Sequence, residues 1–117
     1  MKIEYFKKRG SGKCEILDYV ASLAVKDSKK ILNRMDELCE DGGFKRLSKI
    51  KAVKPISGSR GLWELRPVCY RLFFTIKGPV YRFLLIFKKQ GQKKGYPRHI
   101  KRAEGIKKQW EEIDKGN

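Results

Sequence analysis

Acidic side chains are almost missing from the middle of this 117-residue chain: between Gly42 and Ala103, Glu64 stands alone against seventeen lysines and arginines. The flanks, residues 1–41 and 104–117, carry twelve basic and twelve acidic side chains and cancel, so the net charge of +16 belongs to one contiguous stretch. Such a one-sided field attracts polyanions and speeds their association, and phosphate is the commonest biological answer to it. Histidine is represented only by His99, and the three cysteines, Cys14, Cys39 and Cys69, are far apart with no CxxC or Cys/His ligand spacing. That pattern argues against a metal site, a disulfide framework or a cofactor, and the thiols read as reduced, small core-type side chains. Long apolar runs are missing too. The longest, Phe83 to Phe87, is far too short to cross a bilayer, and Met1 to Gly12 is charged without a signal-type hydrophobic region. The expectation is a cytoplasmic protein with no membrane partner.

With 40% apolar residues, the chain suits a single domain over residues 1–117 with a modest core. Lys2 to Lys8 reads as a strand. Ile16, Leu17, Val20, Leu23 and Ala24 recur at helical spacing, which predicts a short amphipathic helix over Cys14 to Ala24. A second helix follows, capped by Asp27 or Ser28, with Ile31, Leu32, Met35, Leu38 and Cys39 on one stripe and Gly42 and Gly43 as its stop. Lys54 to Gly61 reads as a mobile loop. Extended segments come next, at Leu62 to Arg66, Cys69 to Lys77 and Val80 to Lys88, the last two joined by a turn at Lys77, Gly78 and Pro79. Pro97 suits the first turn of a final helix whose apolar face is Ile100, Ala103, Ile106, Trp110 and Ile113. The expected fold is α+β: a small antiparallel sheet made of the N-terminal strand and a three-stranded meander, with two N-terminal helices and a C-terminal helix, in the order βααβββα.

Alternation along the strand that starts at Cys69 sets Arg71 on a face with Phe73, Thr75 and Lys77. An arginine in such a place ordinarily meets solvent or an acid, but few acids are available here, so an anionic ligand is the natural substitute. Arg66, ending the preceding strand, can reach the same anion, and two guanidinium forks suit phosphate oxygens. The third strand runs into a basic, glycine-spaced segment, Lys88, Lys89, Gln90, Gly91, Gln92, Lys93, Lys94 and Gly95, that ends where the last helix begins. A helix start favours an anion, and Tyr96, Arg98 and His99 lie beside it. Arg71, Arg66, Lys89, Tyr96 and His99 are the candidate catalytic groups; Lys88, Lys93, Lys94 and Arg98 are candidate substrate-binding groups. Metal-free RNA cleavage needs a base for the ribose 2′-hydroxyl, cations for the phosphate and an acid for the leaving oxygen. A lone histidine rules out a two-histidine scheme within the chain, and a lysine among packed cations is the alternative base.

The segments GLWELRPVCYRLFFTIKG and FLLIFKKQGQKKGYPRHIKRA together resemble the RelE/ParE superfamily of type II toxin–antitoxin toxins, above all its HigB-like, phage-associated branch. The resemblance rests on Leu62 to Pro67, Tyr70–Arg71, Leu84 to Lys89, Gln92–Lys93, Tyr96–Pro97 and Ile100 to Ala103. It implies the small α+β fold of that family and a toxin that cleaves messenger RNA, commonly on the ribosome, silenced by a cognate antitoxin, here of the helix-turn-helix HigA-like kind. It also implies that Arg71 stabilises the transition state, that Tyr96 stacks on or activates the nucleotide, and that Lys88 and Lys89 form a second cationic cluster. Where ribosome-dependent RelE carries lysines on the first meander strand, this chain has Leu62 and Glu64. Glu64 is then a base, an orienting group for Arg66 or Arg71, or a structural ion-pair partner. A ParE-like gyrase poison and a non-catalytic nucleic-acid-binding module are the alternative functions.

Overall fold

The computed structural model describes residues 1–91 and 94–116. Its elements are β1 (Lys2–Tyr5), α1 (Glu15–Ser22), α2 (Val25–Cys39), α3 (Gly43–Lys49), β2 (Val53–Pro55), β3 (Trp63–Leu65), β4 (Tyr70–Lys77), β5 (Val80–Lys88) and α4 (Tyr96–Lys115). The five strands form one sheet in the order β1-β5-β4-β3-β2, so the expected α+β class holds with β4 at the centre. Two elements were not expected, the short helix α3 and the edge strand β2. The pair Gly42–Gly43 ends α2 and at once opens α3: a Cβ on Gly43 would sit 1.9 Å from the Glu37 carbonyl oxygen, so glycine alone lets the chain fold back this tightly. Strand β2 occupies the start of the segment expected as a loop, held by antiparallel pairing with β3. The remainder of that loop is tied to α4, with Ser59 Oγ bonded to Glu104 at 2.9 Å and Lys107 Nζ to the Arg60 carbonyl at 3.1 Å. The sheet is also mixed: β1 pairs parallel to β5, Lys2 opposite Val80 through Tyr5 opposite Phe83.

The sheet is covered on both faces by different means. On one side, Ile16 and Val20 of α1, Ile31, Met35 and Leu38 of α2 and Leu47 of α3 pack on Leu65, Tyr70, Leu72, Phe74, Tyr81 and Phe83. The apolar stripes that made these helices legible are the ones they bury. The residues expected to cap α2 do other work: Asp27 accepts a bond from the Tyr70 hydroxyl at 2.9 Å and Ser28 Oγ donates to the Val20 carbonyl at 2.7 Å, while the helix begins two residues earlier. On the other side α4 lies alone, setting Tyr96, Ala103 and Ile106 against Ile56, Leu62, Phe73, Leu84, Leu85 and Phe87. Both Leu84 and Leu85 fall on this side because the β4–β5 register slips between Phe73 and Phe74. The extra residue is a β-bulge, which bends a strand and increases its twist. Among the described residues no helix is long and apolar enough to cross a membrane.

Candidate functional site

The two buried charged residues among those described, Glu64 and Arg71, meet where the first turn of α4 crosses β3, β4 and the end of β5. Arg71 is 5% exposed and Glu64 6%, levels rare for charged residues unless partnered. A chain of bonds joins them. Arg71 Nε donates to the Tyr96 hydroxyl at 3.2 Å, and that hydroxyl donates to Glu64 Oε2 at 2.9 Å. Arg71 Nη1 is spent on the carbonyls of Tyr70, at 2.7 Å, and Val68, at 3.1 Å. Val68 has φ of 53°, a left-handed conformation that a β-branched residue adopts only at a cost, so the turn presenting its carbonyl to Arg71 is a strained one. None of these bonds uses Arg71 Nη2. Arg66 Nε stands 3.5 Å from Glu64 Oε1, and its Nη1 lies 3.4 Å from the Lys51 carbonyl. Burial, the Glu64 carboxylate and the bond to it push the Tyr96 phenol up to about 12 against the pull of Arg71, so Tyr96 stays protonated.

Phe87 joins this network to a second group. Its ring is perpendicular to Tyr96, with centroids 5.4 Å apart, and stacked flat on His99 at 3.8 Å. His99 forms one wall of a cleft of about 730 Å³ together with Lys88, Gln90, Lys94, Pro97 and Arg98. Burial and the neighbouring Arg98 and Arg102 hold the imidazole below its usual 6.5, so it is mainly neutral at pH 7. The start of α4 reaches the cleft through Gly95, whose φ of 82° is readily available only to glycine and turns the chain sharply into the helix. Lys88 lies opposite Tyr70 and Phe87 opposite Arg71 in the strand pairing, and the Lys89 amide bonds the Cys69 carbonyl at 2.7 Å.

Of the residues singled out from the sequence, Arg71, Tyr96 and Arg66 belong to the buried network and Lys88, Lys94, Arg98 and His99 to the cleft; Lys89 sits at the strand end between them. Lys93 lies outside the described residues, as does Gln92. Of the roles left open for Glu64, the structure shows an ion pair with Arg66 and a bond from Tyr96. Sequence reading missed Tyr19, which lines the cleft from α1. Its spacing marks it only as a neighbour of the apolar stripe. Among the described residues, no three His, Cys, Asp or Glu side chains are grouped to hold a metal ion.

A mixed sheet with one helix laid alone across a face, and with its buried charges drawn to that helix's first turn, defines a small, strongly basic α+β protein. The chain matches the family described as Phage derived protein Gp49-like (DUF891) over residues 18–108, and it belongs to that family. The match runs from α1 into α4 and takes in every residue of the network and the cleft. Comparison with curated proteins finds no match.

Proposed function

We propose that this protein is the toxin of a type II toxin–antitoxin pair, an endoribonuclease that cuts messenger RNA on the ribosome by attack of a ribose 2′-hydroxyl on the adjoining phosphate. The observation that carries the reading is the meeting, at one helix turn, of a buried arginine held by neutral groups with a cationic cleft walled by a neutral histidine. In this scheme Lys88, Lys94 and Arg98 hold the phosphate, with Lys93 completing the set. His99 takes the 2′-hydroxyl proton as the new P–O2′ bond forms. The P–O5′ bond breaks, and an ammonium group of the cleft protonates the departing oxygen, leaving a 2′,3′-cyclic phosphate and a 5′-hydroxyl. Arg71, through Nη2, stabilises charge on the crowded phosphate, while Arg66 and Lys89 reinforce the field. Tyr96 fixes Arg71 and offers its ring to a base; bonded to Glu64 and protonated, it is not the proton acceptor. The cognate antitoxin, a helix-turn-helix protein with an acidic segment, would silence the toxin by covering the cleft.

Purified protein added to translating ribosome complexes should release message fragments ending in cyclic phosphate. His99→Ala, which leaves the Arg71–Tyr96–Glu64 bonds in place, should cut at least about 100-fold more slowly. Intact message with the unaltered protein would reduce the proposal to a basic binding module. Full-rate cutting by the variant would move the base elsewhere.

A further inference from the structure

A second hollow, of about 330 Å³, shares Pro97 with the cationic cleft and is lined also by Lys54, Pro55, Ile56, Ser57, Glu64, Tyr96 and Ile100. Its size falls at the lower end of small-ligand sites, about 300–1,000 Å³, and its make-up is that of such sites: apolar walls with a few polar groups. Besides Ser57 and Tyr96, those polar groups include one acid and one base placed side by side. Lys54 on β2 and Glu64 on β3 are directly opposite in the antiparallel pairing, so their side chains leave the same face of the sheet. They are not paired with each other, because the ion-pair partner of Glu64 is Arg66. Glu64 also has acceptor capacity to spare. Oε2 takes the Tyr96 hydroxyl, whereas Oε1 receives no hydrogen bond from the described residues, Arg66 Nε being 3.5 Å away. That oxygen is not among the buried polar atoms left without a partner, so water reaches it and a ligand's donor can take the water's place.

We infer that this hollow reads a guanine base of the RNA whose phosphate occupies the adjoining cleft. The inference rests on the proposed RNA ligand but not on cleavage. The Watson–Crick edge of guanine presents an acceptor, O6, beside two donors, N1–H and N2–H, and an ammonium beside a carboxylate is the complement of that edge. Adenine and cytosine put an amino group where Lys54 needs an acceptor and a bare ring nitrogen where Glu64 needs a donor. Uracil satisfies one bond to each and lacks the second donor. Pro97, shared by the two hollows, lets one nucleotide set its base on one side of the helix start and a neighbouring phosphate on the other. Ile56, Ile100 and the Tyr96 ring supply the apolar faces on which a base rests.

The test is fluorescence anisotropy with 2′-O-methyl pentanucleotides, which cannot be cut, of the form AAXAA. With X as guanine, the affinity should exceed that with adenine by at least about tenfold, and inosine, which lacks the 2-amino group, should fall between. Glu64→Gln should erase the ratio of guanine to adenine affinity, whatever its effect on the affinity common to all sequences, and Arg98→Ala should weaken all sequences alike. Equal binding of guanine, inosine and adenine by the unaltered protein overturns the pocket and leaves the cleft standing; this comparison needs no variant to fold. A guanine preference that survives in Glu64→Gln also overturns it. Failure of every pentanucleotide to bind overturns the pocket and the RNA reading together, whereas guanine-selective binding by a protein that cuts nothing upholds the pocket and rejects only the nuclease.

Discussion

The two ends of α4 each hold an arginine from the central hairpin, and they treat it differently. Arg82 is matched by acid: both its terminal nitrogens bond Asp114, at 2.7 and 2.9 Å, Glu4 stands 3.9 Å from its Nε, and its guanidinium lies 4.5 Å from the centre of the Trp110 ring. Arg71, at the other end, meets two carbonyls and a phenol, and the Glu64 carboxylate reaches it only through the Tyr96 hydroxyl. A guanidinium fitted to a carboxylate has spent its charge and acts as a clamp. One held by neutral acceptors is fixed in place with its charge still available to a guest. The difference separates an arginine that fastens the helix from one prepared for an anion, though both sit on the same hairpin.

Replacing each arginine in turn tests that contrast most severely. Arg71→Met should lower message cutting by about 10²–10³, the loss seen when a fixed donor to developing charge is removed, while Arg82→Met should leave cutting close to normal and lower the thermal midpoint instead. Equal losses of cutting in both variants would dissolve the distinction.

The pH profile of cutting should sharpen it. With the His99 imidazole held below 6.5, cutting should be level at neutral pH and fall about tenfold per pH unit once the pH drops beneath the pKa of His99. A profile that keeps rising through pH 8 would point to a lysine base.

The smallest effect is on stability in acid, where the two ends of the helix should fail in different windows. His99 titrates lower in the folded protein than its ordinary 6.5, so the unfolded chain binds the proton more readily, and the stability present above 6.5 is lost as the pH falls through the folded value. Asp114, held below its usual 3.8 first by its bonds to Arg82 and then by the charge of that group, contributes stability above 3.8 that is lost only as the pH falls further. Urea midpoints against pH should therefore decline in two steps. His99→Phe should remove the upper one and Asp114→Asn should blunt the lower one, to which Glu15, lowered by Lys8 and Arg102, also contributes.

Much of this arrangement could be read from the residues in order. Alternation around Arg71, the Lys77–Gly78–Pro79 turn and the apolar stripe from Ile100 to Trp110 specify β4, β5 and α4 because each is long enough for its period to repeat. Helix α3 has only Phe44 and Leu47 as apolar anchors in seven residues, and β2 is three residues ending in proline; neither contains a full period, and both exist because tertiary partners hold them. The parallel partner of β1 was equally hidden, since a strand carries no mark of which edge it will join. At the site, the residue types were legible and the bonds were not. Glu64 and Tyr96 are 32 positions apart, and the register that sets Lys54 beside Glu64 depends on a strand that local pattern does not announce.

The placement of Phe87, flat on one ring and edgewise to another, has a mechanical outcome. Interiors packed at crystal density have no slack, so a displacement at one contact is handed to the next. Phe87 is in ring contact with Tyr96, which lines the hollow, and with His99, which lines the cleft. The two openings thus lean on one ring, and a side chain that fills the place of Phe87 less well would loosen both together.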